Sequence, residues 1–338
     1  MRPLRTAVIG FGTAGRVFHA PFVDASPDYE LAAVMTGNEH RRAEVRTRYP
    51  GTEVVAGVDA LLDRELDLVV IGSPPESHAE LAHTFLDAGV AVVVDKPFTV
   101  TSAQGRELVE KAGRLGVPLT VFQNRRWDGD FRTVRRLLAD GALGTVWRFE
   151  SRFEWWKPDR GSSWKTGTPA AEGGGILYDL GTHVIDQALR LFGDAVPAYH
   201  ELFTRGRGGA APDDAFVVLE HDTGVVSHLW MNGLAARTGP RFRVLGSRAG
   251  FTKHGLDPQE AALRDNARPT DEGFGHEPEP AWGTLGLDGA TEAVPTEPGR
   301  YAEFYALLAT ALRDSTPMPV DPADSVRVIE LIEQILLA

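Results

Sequence analysis

Hydrophobic positions over the first 122 residues alternate between short β-branched runs and longer helical stripes. Short apolar runs are typical of buried parallel strands, and apolar residues every three or four positions are typical of amphipathic helices. The predicted strands are Thr6–Ile9, Glu30–Met35, Val54–Val58, Leu68–Ile71, Ala91–Val94 and Leu119–Phe122, and the longer predicted helices are Ser77–Ala88 and Ser102–Leu115. This alternation predicts right-handed crossovers and a parallel sheet.

The pattern changes after residue 122, where strands follow one another without helices between them. The predicted strands are Val146–Trp156, Ala215–Glu220, Val225–Met231 and Phe242–Leu245, with a hairpin turn at 222–224 and predicted helices at Phe131–Ala139, Tyr301–Arg313 and Ser325–Leu337. Residues 264–299 are rich in Pro, Gly and acidic residues, which predicts long loops. We therefore predict a parallel-sheet α/β domain over 1–122, and over 123–338 a second α/β domain with a mostly antiparallel sheet whose open face is covered by the first domain, another subunit or both.

One stretch of the second half, residues 173–186, combines a glycine turn with acid–base side chains. It has the sequence GGGILYDLGTHVID, in which three glycines precede an apolar helical pattern. Asp179, His183 and Asp186 are spaced four and three residues apart, which places them on one helix face. Such a carboxylate and imidazole can exchange protons with a substrate. The alternative is that His183 is a buried, hydrogen-bonded structural histidine.

Composition narrows the classes of function. The 338 residues are 43% hydrophobic, and 35 Lys and Arg against 47 Asp and Glu give a net charge of −12. The acidic balance argues against nucleic acid or an anionic membrane as partner. The absence of cysteine excludes disulfides, thiolate catalysis and Cys-ligated metals, and we predict no metal site. With no signal peptide or membrane-spanning run, we predict a cytoplasmic protein.

The first predicted strand ends at a glycine-rich turn. The sequence Gly10-Phe11-Gly12-Thr13-Ala14-Gly15 is the G-x-G-x-x-G pattern that lets backbone N–H groups reach a pyrophosphate. A plain glycine turn is the alternative, but the position directly after a strand favours dinucleotide binding.

The end of the second strand bears on the choice between NAD and NADP. Enzymes that use NAD normally carry an acid there for the ribose 2′-hydroxyl, whereas this chain has Thr36, followed by Asn38, Arg41 and Arg42. The two arginines favour NADP, whose 2′-phosphate they can bind. Alternatively they are solvated at a helix start, and Glu39 serves NAD.

Polar residues at the other strand ends complete a predicted crevice, because ligands bind parallel sheets at the carboxyl ends of the strands. These residues are Ser73, Pro74, His78, Asp95, Lys96 and Asn124. Lys96 lies between an apolar strand and a proline, where its charge can act on a substrate hydroxyl. The alternative is a surface lysine after an edge strand.

Three motifs together resemble the Gfo/Idh/MocA oxidoreductases: the N-terminal glycine pattern, Asp95-Lys96-Pro97 and GGGxxxDxGxHxxD at 173–186. The segments at 124–128 and 255–260 resemble the branch that holds NADP-dependent scyllo-inositol dehydrogenases. The resemblance implies a Rossmann domain, a substrate domain with a large sheet used for assembly into a homodimer or homotetramer, and hydride transfer between a nicotinamide and a carbinol carbon of a sugar or cyclitol.

The resemblance also assigns roles to single residues. It implies that Lys96, Asp179 and His183 are catalytic and bind substrate, and that Arg126 lies on the substrate side. Trp164 and Lys165 resemble a Trp-Arg pair along the cofactor, although Lys lacks the planar fork of Arg. Trp155 either faces a ligand or covers apolar surface.

Three functions fit the sequence. The first is an NAD(P)-dependent dehydrogenase or reductase in which His183 moves the hydroxyl proton, Lys96 stabilises the alkoxide and Asp179 binds a second hydroxyl or orients the imidazole. The second is nicotinamide-dependent elimination or hydrolysis without net redox. The third is a non-catalytic cofactor-binding regulator, against which the joint presence of Lys96, Asp179 and His183 speaks. If the protein is such a dehydrogenase or reductase, residues 173–186 are the second domain's part of a site that both domains share.

Overall fold

The computed structural model describes residues 2–158, 167–206 and 209–338, which form two compact units. The first comprises Met1–Asn124, Gln259–Phe274 and Tyr301–Val326, and the second Arg125–Pro258, Gly275–Arg300 and Arg327–Ala338. The predicted N-terminal boundary at 122 lies close to the end of the first segment. Two later segments that the sequence analysis placed in the C-terminal domain belong to the first unit.

The first unit is built on a six-stranded parallel sheet, as predicted. Its strands are β1 (Leu4–Ile9), β2 (Tyr29–Met35), β3 (Glu53–Val55), β4 (Leu68–Ile71), β5 (Ala91–Asp95) and β6 (Leu119–Phe122). They are ordered β3-β2-β1-β4-β5-β6, with every pair parallel. All four residues of β4 are buried, as expected for a central strand covered on both faces. This strand order brings the ends of β1 and β4 together, where dinucleotides bind in such sheets.

The first unit contains the predicted helices near 78–87, 102–115 and 301–314, together with helices that were not predicted, such as Gln259–Arg264. Their bounds are Ala20–Ala25, Glu39–Arg48, Asp59–Leu62, His78–Asp87, Ser102–Leu115, Gln259–Arg264 and Tyr301–Asp314. The helix at 102–115 begins with a capping box, in which Thr101 and Gln104 satisfy each other's backbone N–H, and ends at Gly116 with φ +65°.

The helix Tyr301–Asp314 belongs to the first unit because its aromatic side chains complete that unit's core. Tyr305 stacks on Phe22 with ring centroids 6.0 Å apart, and Phe304 meets Phe122 edge-on at 4.8 Å. The Tyr29 hydroxyl donates a 2.6 Å hydrogen bond to the Tyr305 carbonyl. Chain order alone could not show this packing, since almost 180 residues separate the helix from β6.

The second unit contains an eight-stranded sheet that is antiparallel except between β7 and β10. Its strands, in the order β14-β13-β12-β11-β7-β10-β9-β8, are β7 (Val146–Glu154), β8 (Ala195–Phe203), β9 (Asp214–His221), β10 (Val226–Asn232), β11 (Phe242–Gly246), β12 (Gly250–Lys253), β13 (Gly283–Leu287) and β14 (Ala290–Val294). The mostly antiparallel sheet and the hairpin between β9 and β10 confirm the prediction.

The prediction of long loops over 264–299 was wrong in part, because β13 and β14 lie there. β13 has the sequence GTLGL, whose two glycines remove the alternation that marks a strand, and four of the five residues of β14 are exposed. An exposed edge strand is held by backbone hydrogen bonds rather than by burial, so it leaves no hydrophobic pattern. For the same reason the opposite edge strand, β8, was not predicted, whereas β12 is an internal strand of only four residues, too short to give a clear alternating pattern.

One face of this sheet forms the second core with helices Gly129–Ala139, Thr182–Phe192 and the C-terminal part of Pro322–Leu337. Phe149, Val217 and Leu229 on neighbouring strands are fully buried against them. Within the described ranges, no helix is both long and apolar enough to cross a membrane.

Candidate functional site

The glycine turn after β1 packs so closely that side chains are excluded. Gly10 has φ +89°, and a Cβ there would lie 2.8 Å from the Gly72 carbonyl oxygen. At Gly15 a Cβ would lie 2.0 Å from the Gly10 carbonyl oxygen. The turn therefore needs glycine at both positions and presents backbone N–H groups as its surface, which is the cradle a pyrophosphate requires.

The glycine turn leads directly into a helical segment. A π-helical turn over Ala14–His19 continues into the helix Ala20–Ala25. Pro21 sits in the first turn of the regular helix, where a missing N–H is tolerated. Thr13, the residue before the π-helical turn, is exposed, and Ala14 and Gly12 are half-buried.

The end of β2 places two arginines in different surroundings. The Arg42 guanidinium is 2.6 Å from the Glu39 carboxylate, whereas Arg41 Nη1 lies 3.8 Å from the position a Cβ would take at Gly12. Across the described part of the chain, no carboxylate forms an ion pair with Arg41. Asn38 caps the helix by accepting the Arg41 backbone N–H at 3.0 Å. Of the two, Arg41 is thus the charge available beside the glycine turn.

The buried Thr36 is fixed by its backbone at the same end of β2. Its N–H donates to the Val55 carbonyl at 3.1 Å, which extends the sheet by one rung. No acid replaces it at this position, so the strand end lacks the carboxylate that the ribose of NAD normally meets.

His78 connects the loops that follow β4 and β5. Its Nδ1 lies 2.9 Å from the Pro97 carbonyl oxygen and its Nε2 lies 2.9 Å from the Ser73 carbonyl oxygen. Both neighbours are acceptors, so a doubly protonated imidazole could donate to both and a neutral one to a single carbonyl. His78 was predicted to bind the cofactor, whereas its two ring nitrogens are directed at these loops.

Asp95 is the last residue of β5 and belongs to a buried chain of polar groups. The His19 Nε2 lies 3.5 Å from the Asp95 carboxylate, and the His19 Nδ1 is 2.7 Å from the Tyr305 hydroxyl. Burial raises the pKa of Asp95, but His19, Lys96 and His78 outweigh it, and the pKa lies below the ordinary value. The site therefore holds an ionised carboxylate directly before Lys96.

Lys96 and Asn124 follow β5 and β6 at the edge where Gly10, Thr36 and Ser73 follow their strands. Lys96 is half-buried and Asn124 is 5% exposed. Ser73 is held by a 2.6 Å contact between its hydroxyl and that of Ser77, and Pro74 is exposed. The sequence-predicted residues of the first unit thus gather along one edge of the parallel sheet.

In the second unit, the glycines of 173–175 allow a close backbone approach. Gly173 and Gly175 have φ of +85° and +88°, and a Cβ at Gly174 would lie 1.9 Å from the Thr168 carbonyl oxygen. Leu177–Gly181 then form a π-helical turn that leads into Thr182–Phe192. Single π-helical turns occur frequently at functional sites.

Asp179 and His183 lie on either side of the junction between these two helical segments. Asp179 is half-buried and His183 is 4% exposed. A turn of π-helix winds by about 4.4 residues, so the two side chains remain within roughly 30–40° of each other around the axis. The prediction that a carboxylate and an imidazole share one face stays compatible with this geometry.

Arg126, the predicted substrate-side residue, forms an ion pair with Asp186. Its Nε and Nη2 donate to the two carboxylate oxygens at 2.8 and 2.5 Å, and both side chains are buried. This bidentate pair fixes the segment at 125–127 against the helix that carries His183. Asp186 therefore orients Arg126 rather than acting as a third acid.

Sequence reasoning missed a buried arginine, Arg241, that contacts the same helix through Gln187. Neither residue belongs to a recognisable motif, and an arginine just before a short strand is normally exposed. Only tertiary contacts distinguish it. Sequence reasoning likewise missed His19 and Tyr305, because the bonds they make are with residues far away along the chain.

The remaining predicted residues have varied placements. Trp155 is half-buried and packs against the hydrophobic core of the second unit, with Lys157 Nζ 5.2 Å from its ring. Trp164 and Lys165 lie outside the described residues. Among the residues with described placement, no three His, Cys, Asp or Glu side chains are grouped so that they could hold a metal ion.

The glycine turn, the parallel strand order and the residues at the strand ends are those of an NAD(P)-binding Rossmann domain. Residues 4–123 match the model of the oxidoreductase family with an NAD-binding Rossmann fold, and residues 131–252 match the GFO/IDH/MocA C-terminal domain. The chain belongs to the Gfo/Idh/MocA family of oxidoreductases.

Relatives cover almost the whole chain. The uncharacterized oxidoreductase YdgJ of Escherichia coli K12 is 39% identical over 98% of this chain and 94% of its own length. The scyllo-inositol 2-dehydrogenase (NADP(+)) IolW of Bacillus subtilis is 31% identical over 98% and 92%. The crystal structure of an oxidoreductase from Bacillus cereus superimposes with a TM-score of 0.88 at 29% identity, covering 99% of this chain and 96% of that one.

Proposed function

We propose that this oxidoreductase is an NADP-preferring dehydrogenase or reductase that acts on a secondary carbinol of a sugar or cyclitol. The observation that carries the proposal is the buried His183 on a π-helical junction, one turn after Asp179 and beside the Arg126–Asp186 pair. Similar chains support the substrate class: scyllo-inositol 2-dehydrogenase at 31% identity, and D-apiose dehydrogenase at 37% identity over 59% of this chain.

The first unit fits a dinucleotide on the evidence of its own packing. Gly10 and Gly15 leave no room for side chains, so the pyrophosphate would meet backbone N–H groups at the start of the helical segment. Arg41 would bind the 2′-phosphate, because its guanidinium lies beside Gly12 and forms no ion pair with a described carboxylate. Ser73, Pro74 and Asn124 would line the rest of the nucleotide. When bound, the nicotinamide supplies the carbon that accepts or returns the hydride.

The side chains of the protein handle the proton. Oxidation of a secondary alcohol releases the hydroxyl proton as the carbonyl forms, and His183 would accept it as a neutral imidazole and return it in the reverse direction. Asp179 would bind a neighbouring hydroxyl or orient the imidazole. Lys96 would stabilise the negative charge that develops on the substrate oxygen.

The direct test is to incubate the protein with NADP⁺ and a panel of inositols and aldoses and to follow the absorbance of the reduced cofactor. We expect turnover with at least one cyclitol or sugar. His183→Ala should lower kcat by about 10²–10⁴-fold, the usual contribution of a general base. His254→Ala is a matched control, because His254 is exposed and is none of the residues assigned to the cofactor, the substrate or the proton transfer.

Other outcomes distinguish the remaining functions of this family fold. Conversion of a sugar without net change in cofactor absorbance would indicate elimination or hydrolysis. Tight cofactor binding with no conversion of any substrate, in either direction, would indicate a regulator and overturn the proposal. A His183→Ala variant with unchanged kcat would remove the proposed base while leaving the reaction class intact.

A further inference from the structure

Arg241 is almost completely buried, although it carries a full charge. It is 2% exposed and directly precedes β11. Burying a guanidinium is costly unless its N–H groups find partners. We therefore expect a buried arginine to have a geometric role. The groups that accept its hydrogen bonds identify the parts of the protein that it holds in place.

The contacts of Arg241 converge on the helix that carries His183. Its Nη2 donates to Gln187 Oε1 at 2.7 Å, and Gln187 lies one helical turn after His183 and is fully buried. Its Nη1 donates to the Ser151 hydroxyl at 2.6 Å, which ties the same guanidinium to β7. Arg241 thus connects the helix to the central strand of the sheet.

Two further contacts fix the plane of the guanidinium. Its Nε lies 3.5 Å from the Asp130 carboxylate, which supplies the countercharge, and its central carbon lies 4.1 Å from the Phe153 ring centroid. The Phe153 ring also neighbours the His183 imidazole, with ring centroids 6.1 Å apart, and the Arg125 guanidinium, whose central carbon lies 5.1 Å from its centroid. Arg241 therefore reaches His183 by two routes, through Gln187 and through Phe153.

Resting on the function proposed above, we propose that Arg241 is a positioning residue for His183. Its planar fork sets the register of the helix through Gln187 and the orientation of the imidazole through Phe153. Lysine cannot reproduce this arrangement, because its ammonium is a compact point charge without the planar fork that donates in two fixed directions while stacking on Phe153.

Arg241→Lys, compared with Arg243→Lys, tests this proposal. Arg243 lies two residues further on, is 46% exposed and pairs with Glu150 at 2.9 Å. We expect Arg241→Lys to lower kcat about tenfold or more, as misplacement of a base by a fraction of an ångström does. The Kd for NADPH should stay within about twofold, because the first unit binds the nucleotide. Arg243→Lys should match the wild type in both.

A purely structural role would lower kcat equally at all pH values once the folded fraction is corrected by circular dichroism. Positioning should instead move the acid limb of the pH profile of kcat by about half a unit or more, because the environment of the base changes. Gln187→Leu should do the same, and the double variant should lose no more kcat than Arg241→Lys alone, since the route through Gln187 begins at Arg241. Multiplying effects, or a wild-type profile in Arg241→Lys, would overturn the proposal.

The proposal can still be tested if Arg241→Lys does not fold or if the wild type shows no turnover. If Arg241→Lys does not fold, Gln187→Leu carries the test by itself with the same kcat and pH readouts. If the wild type turns over no polyol, the function proposed above fails, and the pH titration of the His183 ring signal by NMR, assigned with His183→Asn, decides the positioning role. That signal should differ from wild type in Arg241→Lys and not in Arg243→Lys; no difference in Arg241→Lys would refute the inference.

Discussion

Replacement of Arg41 by alanine tests the cofactor preference most directly. The guanidinium lies beside Gly12 and has no ion pair with a described carboxylate, so its charge is available to a 2′-phosphate. A hydrogen bond to a charged group contributes about 1.5–3 kcal/mol. Arg41 is exposed, so solvent screening places the loss at the lower end, about 1.5 kcal/mol.

A loss of this size corresponds to about a tenfold weaker Kd for NADPH. The Kd for NADH should change by less than about twofold, because NADH has no 2′-phosphate for the arginine to bind. Both values can be measured by the fluorescence of the reduced nicotinamide as it is titrated with protein. The ratio of the two affinities is the quantity of interest, since a general loss of folding lowers both.

Arg42→Ala is the matched control for this measurement. Arg42 lies next to Arg41 on the same helix but is paired with Glu39 at 2.6 Å on the surface, so its charge is already partly neutralised. We expect less than about a twofold change for either cofactor. An equal loss of NADPH and NADH binding in Arg41→Ala, or a larger effect from Arg42, would refute the assignment of the 2′-phosphate to Arg41.

Three predictions concern stability and can be measured by urea unfolding. Asp186→Asn should lower the free energy of unfolding by about 3 kcal/mol, because it removes the carboxylate that pairs in bidentate fashion with the buried Arg126 guanidinium. Gly15→Ala should prevent the glycine turn from closing, since the new Cβ would lie 2.0 Å from the Gly10 carbonyl oxygen; unchanged stability and cofactor binding would contradict this packing. The folded state lowers the pKa of Asp95, so its ionised form stabilises the fold above about pH 4 and this contribution is lost as the pH falls through the lower folded value. The difference in unfolding free energy between wild type and Asp95→Asn should therefore be constant near neutral pH and shrink in acid; a constant difference down to pH 2 would be inconsistent with it.

The sequence predicted the parallel sheet well because its strands are buried on both faces. Leu68–Ile71 and Leu119–Phe122 are found at the predicted residues, and so is the helix Ser102–Leu115. In these elements the sequence of apolar and polar residues follows burial position by position, and their ends carry glycine or capping residues. The strand-end rule then placed the candidate cofactor residues on one edge of the sheet.

Elements stabilised by distant contacts could not be predicted in this way. The edge strand β14 is mostly exposed, and the helix Tyr301–Asp314 joins the first unit through rings that meet Phe22 and Phe122. The pairing of Arg126 with Asp186 is similarly invisible, because sixty residues separate the partners and each type is normally exposed. The sequence identifies residues whose side chains can take part in catalysis. Only the fold shows which of them instead form hydrogen bonds or ion pairs that position other residues.

The imidazole of His78 also has a consequence for motion. The Ser73 and Pro97 carbonyls belong to different loops, one followed by a helix and the other next to Lys96, and a single ring joins them. We expect the two loops to open together rather than separately. Backbone amides on both loops should therefore exchange with deuterium at similar rates, and His78→Ala should let the two rates diverge. Entry of the nucleotide and adjustment of the lysine would then be two aspects of a single fluctuation.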